Sequence, residues 1–160
     1  MRQTPRGARL AIARSRNQEA MAMSEAHHTG GCLCGAIRYR ARGAPVSVNV
    51  CYCSQCRRQT GAPMPAFASF SDEQFELLSG APATYRSSSS AVRQFCATCG
   101  SSLFWRRDGA RELDIFLGTM DRPGDVPPPS FQLWTAHRVP WLPAIQGATD
   151  YRGDKAGSQS

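Results

Sequence analysis

Apolar and polar positions alternate along the middle of the chain in short runs, recurring roughly every ten residues and broken by Gly and Pro. After Gly35, Ala36–Arg40 alternates, and Val46–Val50 does the same. Met64–Phe70 places Met64, Ala66, Ala68 and Phe70 on one face and Phe67 on the other. Phe75–Leu78, Ala83–Arg86, Val92–Cys96, Ser102–Arg106, Leu113–Leu117 and Phe131–Thr135 complete the set. The pattern predicts a mainly β domain with few short helical turns. One such turn is expected over Ser54–Arg58, and a second at Ser71-Asp-Glu-Gln74, which has capping-box form. Eleven prolines, among them Pro127, Pro128 and Pro129, exclude long helices.

The flanks read differently. Residues 1–28 mix Arg, Ala, Gln and Ser without an apolar face, which suggests a disordered leader or an early start codon, with Met21 and Met23 as alternative starts. Residues 29–148 form the predicted domain, and residues 149–160 a polar C-terminal tail. At 160 residues the chain suits one domain of the usual size, about 100–200 residues. Of the net charge of +7, residues 1–23 hold a surplus of four, from five arginines and Glu19. The predicted domain is therefore only mildly basic, which argues against a nucleic-acid partner. No apolar run reaches the roughly 20 residues a membrane span needs. The N-terminal arginines are followed by no apolar signal core, so the cytoplasm is the expected compartment.

Seven cysteines cannot form a complete disulfide framework, and inside the cell they read first as metal ligands or catalytic groups. They fall into three knuckles: Cys32-Leu-Cys34, Cys51-Tyr-Cys53-Ser-Gln-Cys56 and Cys96-Ala-Thr-Cys99-Gly100. Cys51, Cys53 and Cys56 lie close enough in sequence to converge on one ion. Cys32, Cys34, Cys96 and Cys99 remain as a closed four-thiolate set. Zinc takes four protein ligands in structural sites and three in catalytic ones, so seven divides into two Zn²⁺ sites, one of them open. His27, His28 or His137 as an eighth ligand would close the second site, and an iron–sulfur cluster is a further alternative. Trp105, Trp134 and Trp141, with Phe67, Phe95 and Phe104, are expected in the core.

The runs Gly31-Cys32-Leu-Cys34-Gly35-Ala36-Ile37-Arg38-Tyr39, Cys51-Tyr-Cys53-Ser-Gln-Cys56-Arg57-Arg58-Gln59-Thr60-Gly61-Ala62 and Arg93-Gln-Phe95-Cys96-Ala-Thr-Cys99-Gly100 resemble the glutathione-dependent formaldehyde-activating (GFA) family. The centromere protein V domain belongs to the same superfamily. Gly118-Thr-Met-Asp121 and Pro140-Trp141 also fit. The resemblance implies a β-tent of stacked antiparallel sheets. It implies a structural zinc on Cys32, Cys34, Cys96 and Cys99 and a catalytic zinc on Cys51, Cys53 and Cys56. The implied reaction is that of a carbon–sulfur lyase, joining glutathione to formaldehyde or cleaving the adduct. Tyr52 departs from the His that many members carry there, which leaves substrate choice open. Under this reading glutathione is the co-substrate and a small aldehyde its partner. Arg57, Arg58 and Arg93 would meet its carboxylates, with a solvated surface position as the alternative for each, and Gln55, Gln59 and Thr60 would offer neutral hydrogen bonds. The alternative function is a non-catalytic zinc-stabilised module that binds a protein or nucleic acid.

Overall fold

The computed structural model describes residues 26–155, as eleven strands in two sheets with one α-helix. The proposed leader through residue 25, with Met21 and Met23, lies outside the described residues. Strands β1 (His27–Gly31), β2 (Arg38–Arg42) and β5 (Phe75–Ser79) form a three-stranded antiparallel sheet in the order β1-β2-β5. The larger sheet holds β3 (Ser47–Cys51), β4 (Ala66–Ser71), β6 (Ala83–Ser88), β7 (Ala91–Phe95), β8 (Ser102–Arg107), β9 (Glu112–Phe116), β10 (Phe131–Leu133) and β11 (Thr149–Asp150). Its order is β11-β10-β3-β4-β9-β8-β7-β6. It is antiparallel except at one edge, where β10 runs parallel to both β3 and β11. The helix α1 spans Ser54–Thr60. Among the described residues no helix is long and apolar enough to cross a membrane.

Alternation along each strand of the large sheet divides its two faces. On one face Val48, Ala68, Phe70, Phe104, Leu113 and Ile115 meet Tyr39 and Ala41 of the small sheet in the main core. Phe104 sits edge-on to Tyr39 and to Phe75, with ring centroids 5.2 and 5.1 Å apart. The opposite face carries Phe67 and Phe116, which pack with Cys51 and Cys56 in a separate small cluster. The expected split of Ala68 and Phe70 from Phe67 thus separates a closed core from an open face.

Two strands lie outside the alternating runs. Strand β1 begins at His27, within the segment read as leader, because His-His-Thr-Gly-Gly has no apolar period. His28 is buried against Phe70, its Nε2 3.1 Å from the Gly43 carbonyl. Gly30 has no room for a side chain, since a Cβ would lie 2.2 Å from Tyr39 Oη and 2.4 Å from the Thr119 carbonyl. Strand β11 begins the segment read as a tail, held by the buried Gln132. The Gln132 amide donates to Asp150 Oδ1 (2.6 Å) and accepts from the Tyr52 hydroxyl (2.8 Å). The expected helical turn at Ser71–Gln74 is instead the β4–β5 turn. It keeps half of the capping box, with the Ser71 N–H donating to Gln74 Oε1 at 2.9 Å. Asp121, from the Gly118–Asp121 run, accepts from Thr29 on β1 (2.6 Å) and pairs with Arg38 on β2.

Candidate metal centre and substrate cavity

The first cysteine group joins the start of the domain to its middle. Cys32 and Cys34 follow β1, and Cys96 and Cys99 lie in the β7–β8 turn. All four sulfurs lie within 4.8 Å of one another, Cys32 and Cys34 at 3.5 Å and Cys34 and Cys96 at 3.8 Å. Four sulfurs at about 2.3 Å from a central zinc would be about 3.8 Å apart, so this set fits a tetrahedral ion. Backbone supports the charge: the Ile37 N–H donates to Cys32 Sγ at 3.2 Å. The Cys99 thiol is drawn down to about 5, first by the Ser101 hydroxyl and then by the Ser101 backbone.

The second group, Cys51, Cys53 and Cys56, also has its sulfurs within 4.8 Å. Cys51 ends β3, Cys53 is the N-cap of α1, and Cys56 sits in the first turn of the helix. The Cys56 N–H donates to Cys53 Sγ at 3.3 Å, so a thiolate does the work of a Ser or Asp cap. Hydrogen bonds from Cys51 and Cys56, then from the backbone at the helix start, pull Cys53 down, while Cys51 is pushed up by its sulfur neighbours and by burial. Gly61 stops the helix in the left-handed conformation at φ 68°.

Among the described residues no fourth His, Cys, Asp or Glu donor joins this trio. None of the proposed eighth ligands is grouped with the trio, although His137 lines the cavity beside it. His27 and His28 belong to the small sheet, and His137 stacks on Trp134 with centroids 5.6 Å apart. Tyr52, between two of the cysteines, is fully buried and turned to Gln132. A cavity of about 480 Å³ instead opens beside the trio, on the open face of the large sheet. That volume falls in the range of small-molecule sites, roughly 300–1,000 Å³.

Of the arginines proposed to meet substrate, only Arg93 lines this cavity. It is 4% exposed, and both guanidinium ends approach Cys56 Sγ, at 3.7 and 3.8 Å. It also donates to Gln59 Oε1 and to Gln55 Oε1 (3.4 Å), and forms no ion pair with a carboxylate among the described residues. Arg93 is thus the counter-charge of the cysteine cluster. Arg57 and Arg58 do not line the cavity: Arg58 is exposed and Arg57 Nε is buried without a partner. Gln55 lines the cavity, whereas the Thr60 hydroxyl bonds back to the Cys56 carbonyl at 2.9 Å.

The aromatic residues also redistribute. Phe104 is core as expected, and Phe95 is half-buried. Phe67 is buried as expected, in the small cluster with the cysteines, and with Trp105 it also walls the cavity from the sheet face that the small sheet leaves uncovered; Trp134, just after β10, adds to that wall. Trp141 is 71% exposed on the loop after the third 3₁₀ turn. Trp134 is the one described non-glycine residue with positive φ, at 58°. Sequence reasoning missed four charged lining groups, Arg107, Asp114, Asp154 and Lys155. Asp114 occupies the polar position of an alternating strand, which reads as solvent-facing until the shape of the sheet is known. Asp154 pairs with Arg107 at 3.4 Å, and Lys155 Nζ lies 4.6 Å from the Phe131 ring centroid.

The family model of the glutathione-dependent formaldehyde-activating enzyme matches residues 27–137. A Halomonas elongata protein provisionally named for that enzyme is 30% identical over 122 residues, covering 71% of this chain and 78% of its own length. A Schizosaccharomyces pombe protein named an uncharacterized lyase is 32% identical over 78 residues, 49% of this chain and 56% of that protein. The crystal structure of a Rhodobacter sphaeroides protein superposes with a TM-score of 0.50 at 25% identity, covering 58% of this chain and 87% of that one.

Proposed function

Because the chain belongs to the glutathione-dependent formaldehyde-activating enzyme family, we propose that it is a zinc-dependent carbon–sulfur lyase. It would join glutathione or a similar small thiol to formaldehyde or a related aldehyde, or cleave the adduct. The observation that carries this reading is the three-sulfur cluster, without a fourth protein donor among the described residues and open to a substrate-sized cavity.

Cys51, Cys53 and Cys56 would hold the working Zn²⁺, and Cys32, Cys34, Cys96 and Cys99 a structural one. Zinc in the open cluster supplies a position for a soft sulfur ligand and favours its thiolate form. The reaction is redox-neutral. A sulfur–carbon bond forms, the carbonyl becomes a hydroxyl, and the proton lost by the thiol ends on that oxygen. Arg93 balances the charge of the thiolates, Phe67 and Phe116 keep water from one side of the cluster, and Gln55 offers an amide at the cavity edge. The fully buried Tyr52 contributes packing and a hold on β10, and its hydroxyl stays out of the cavity.

Zinc content with X-ray absorption before and after glutathione addition tests the proposal, together with exchange NMR of the formaldehyde adduct to separate catalysis from the spontaneous reaction. The expected result is two zincs per chain, one of which gains a sulfur neighbour, and adduct exchange faster than the protein-free rate. Two zincs indifferent to any thiol would leave a zinc-stabilised binding module.

A further inference from the structure

The cavity is chemically asymmetric. Its cations are engaged: Arg93 with Cys56, Gln55 and Gln59, Arg107 with Asp154, and Lys155 over the Phe131 ring. One carboxyl is not matched. Asp114, half-buried in the cavity wall, accepts a hydrogen bond from the Ser69 hydroxyl at 2.5 Å and makes no ion pair among the described residues. Ser47 Oγ in turn donates to Ser69 Oγ at 3.0 Å. The two hydroxyls form a relay whose protons point toward the carboxyl, which marks Asp114 as an acceptor. Burial raises its pKa, as expected for a carboxylate lacking a cation. Glu112 adds to this effect and Arg107 opposes it through space.

Register places this carboxyl. Ser47 pairs with Ser69, and Ser69 with Asp114, so the three form one cross-strand row. Cys51 lies four residues along β3 from Ser47, and β3 is two strands from β9. With strands about 4.8 Å apart and about 3.3 Å per residue, the Cα atoms of Cys51 and Asp114 are about 16 Å apart. Asp114 is too far to act on atoms held at the sulfurs. Subtracting roughly 3 Å of contact at each end leaves a molecule whose positive group is about 10 Å from its sulfur.

We propose that Asp114, backed by Ser69 and Ser47, is the docking point for the ammonium end of an elongated aminothiol. This rests on the reading of the cavity as a thiol site and adds to it a residue that would select for the ammonium group at that reach, as a γ-glutamyl thiol carries it. In glutathione the glutamyl ammonium is about eight bonds from the sulfur, about 10 Å when extended. Asp114 is then a specificity residue that leaves the bond-making step alone.

The test is calorimetric binding to the zinc-loaded protein of three probes: glutathione, N-acetylglutathione, and the glutathione analogue with a methyl group replacing the thiol. Wild type should bind glutathione about tenfold or more tighter than its N-acetyl form, the usual worth of a charge-assisted hydrogen bond. Asp114→Asn should erase that gap, weaken the sulfur-free analogue by a similar factor, and leave N-acetylglutathione unchanged. Ser69→Ala should narrow the gap partway. The proposal is overturned if acetylation has no effect on wild type, if Asp114→Asn weakens all three probes equally, or if none of the probes binds. Adduct exchange, followed separately, keeps the two claims apart. A binding gap without exchange supports the docking point and sinks the lyase reading. Exchange without the gap does the reverse.

Discussion

Replacing Arg93 with methionine should release one zinc and spare the other. Arg93 is buried, has no carboxylate partner among the described residues, and directs both ends of its guanidinium at Cys56 Sγ. Three thiolates around one Zn²⁺ carry a net charge of −1, and the guanidinium cancels it. A methionine side chain would fill much of the volume and leave that charge in a partly dry site. Removing one partner of a buried charge pair costs about 3–5 kcal/mol. The open cavity wets one side of the cluster, so the lower end applies, about 3 kcal/mol. That is about a hundredfold weaker zinc binding at Cys51, Cys53 and Cys56. Among the described residues no arginine hydrogen bond reaches the four-cysteine site, which therefore serves as an internal control. Competition with a graded series of chelators, with zinc counted per chain and circular dichroism followed in parallel, resolves the two ions. Arg93→Lys keeps the charge but loses the fork and should fall between, at about tenfold. If Arg93→Met gave up both zincs to the same chelators as wild type, the charge argument would be refuted. Simultaneous loss of both with unfolding would show that Arg93 holds the fold instead of the cluster.

Three further outcomes follow from the same geometry. Cys34→Ala should unfold the domain at 37 °C, because its cluster joins the end of β1 to the β7–β8 turn, while Cys53→Ala should stay folded and lose only the second zinc; thermal melts with metal counts check both. Gly30→Ala should lower stability by about 2–3 kcal/mol, since the new methyl meets Tyr39 and the Thr119 carbonyl, and denaturant melts measure the loss. Asp114→Asn should stabilise the protein at neutral pH even as it impairs aminothiol binding. Burial raises the native carboxyl's pKa, so between the unfolded value of about 3.9 and that raised value the native state holds more protons. Wild-type stability therefore falls as pH rises through this window, and the variant's advantage should vanish on acidification; an advantage constant with pH would contradict the sign.

The strands legible in the sequence were those in which one face is greasy and the other polar. All nine alternating runs became strands, shifted by no more than two residues at their starts. Hidden were elements whose pairing rests on backbone and small residues. β1 packs through Gly30 against the Tyr39 ring, and a glycine leaves no hydrophobic period. β11 is two residues long and held by Gln132 and parallel pairing. The cysteine groups came together as their spacing predicted, because two-residue knuckles carry their own geometry. The rest of the cavity did not show, since it is assembled across strands. Arg93, Trp105, Asp114 and Ser69 are neighbours only by register. Arg57 and Arg58, adjacent to Cys56 in sequence, do not line the cavity, because adjacent positions of a helix do not share a face.

The family match ends at residue 137, yet the cavity rim extends to Asp154 and Lys155. The two cysteine clusters and part of the wall of the cavity beside one of them therefore come from separate stretches of chain. Such a layout lets the residues after Asp150 vary while Asp150 keeps its hold on Gln132, and through it on Tyr52 between two of the cysteines. Grafting the equivalent stretch from a relative onto Asp150 is a compact way to retarget this scaffold. A purification tag placed after Lys155 would emerge at the cavity mouth, so kinetic work is better done with the tag at the other end.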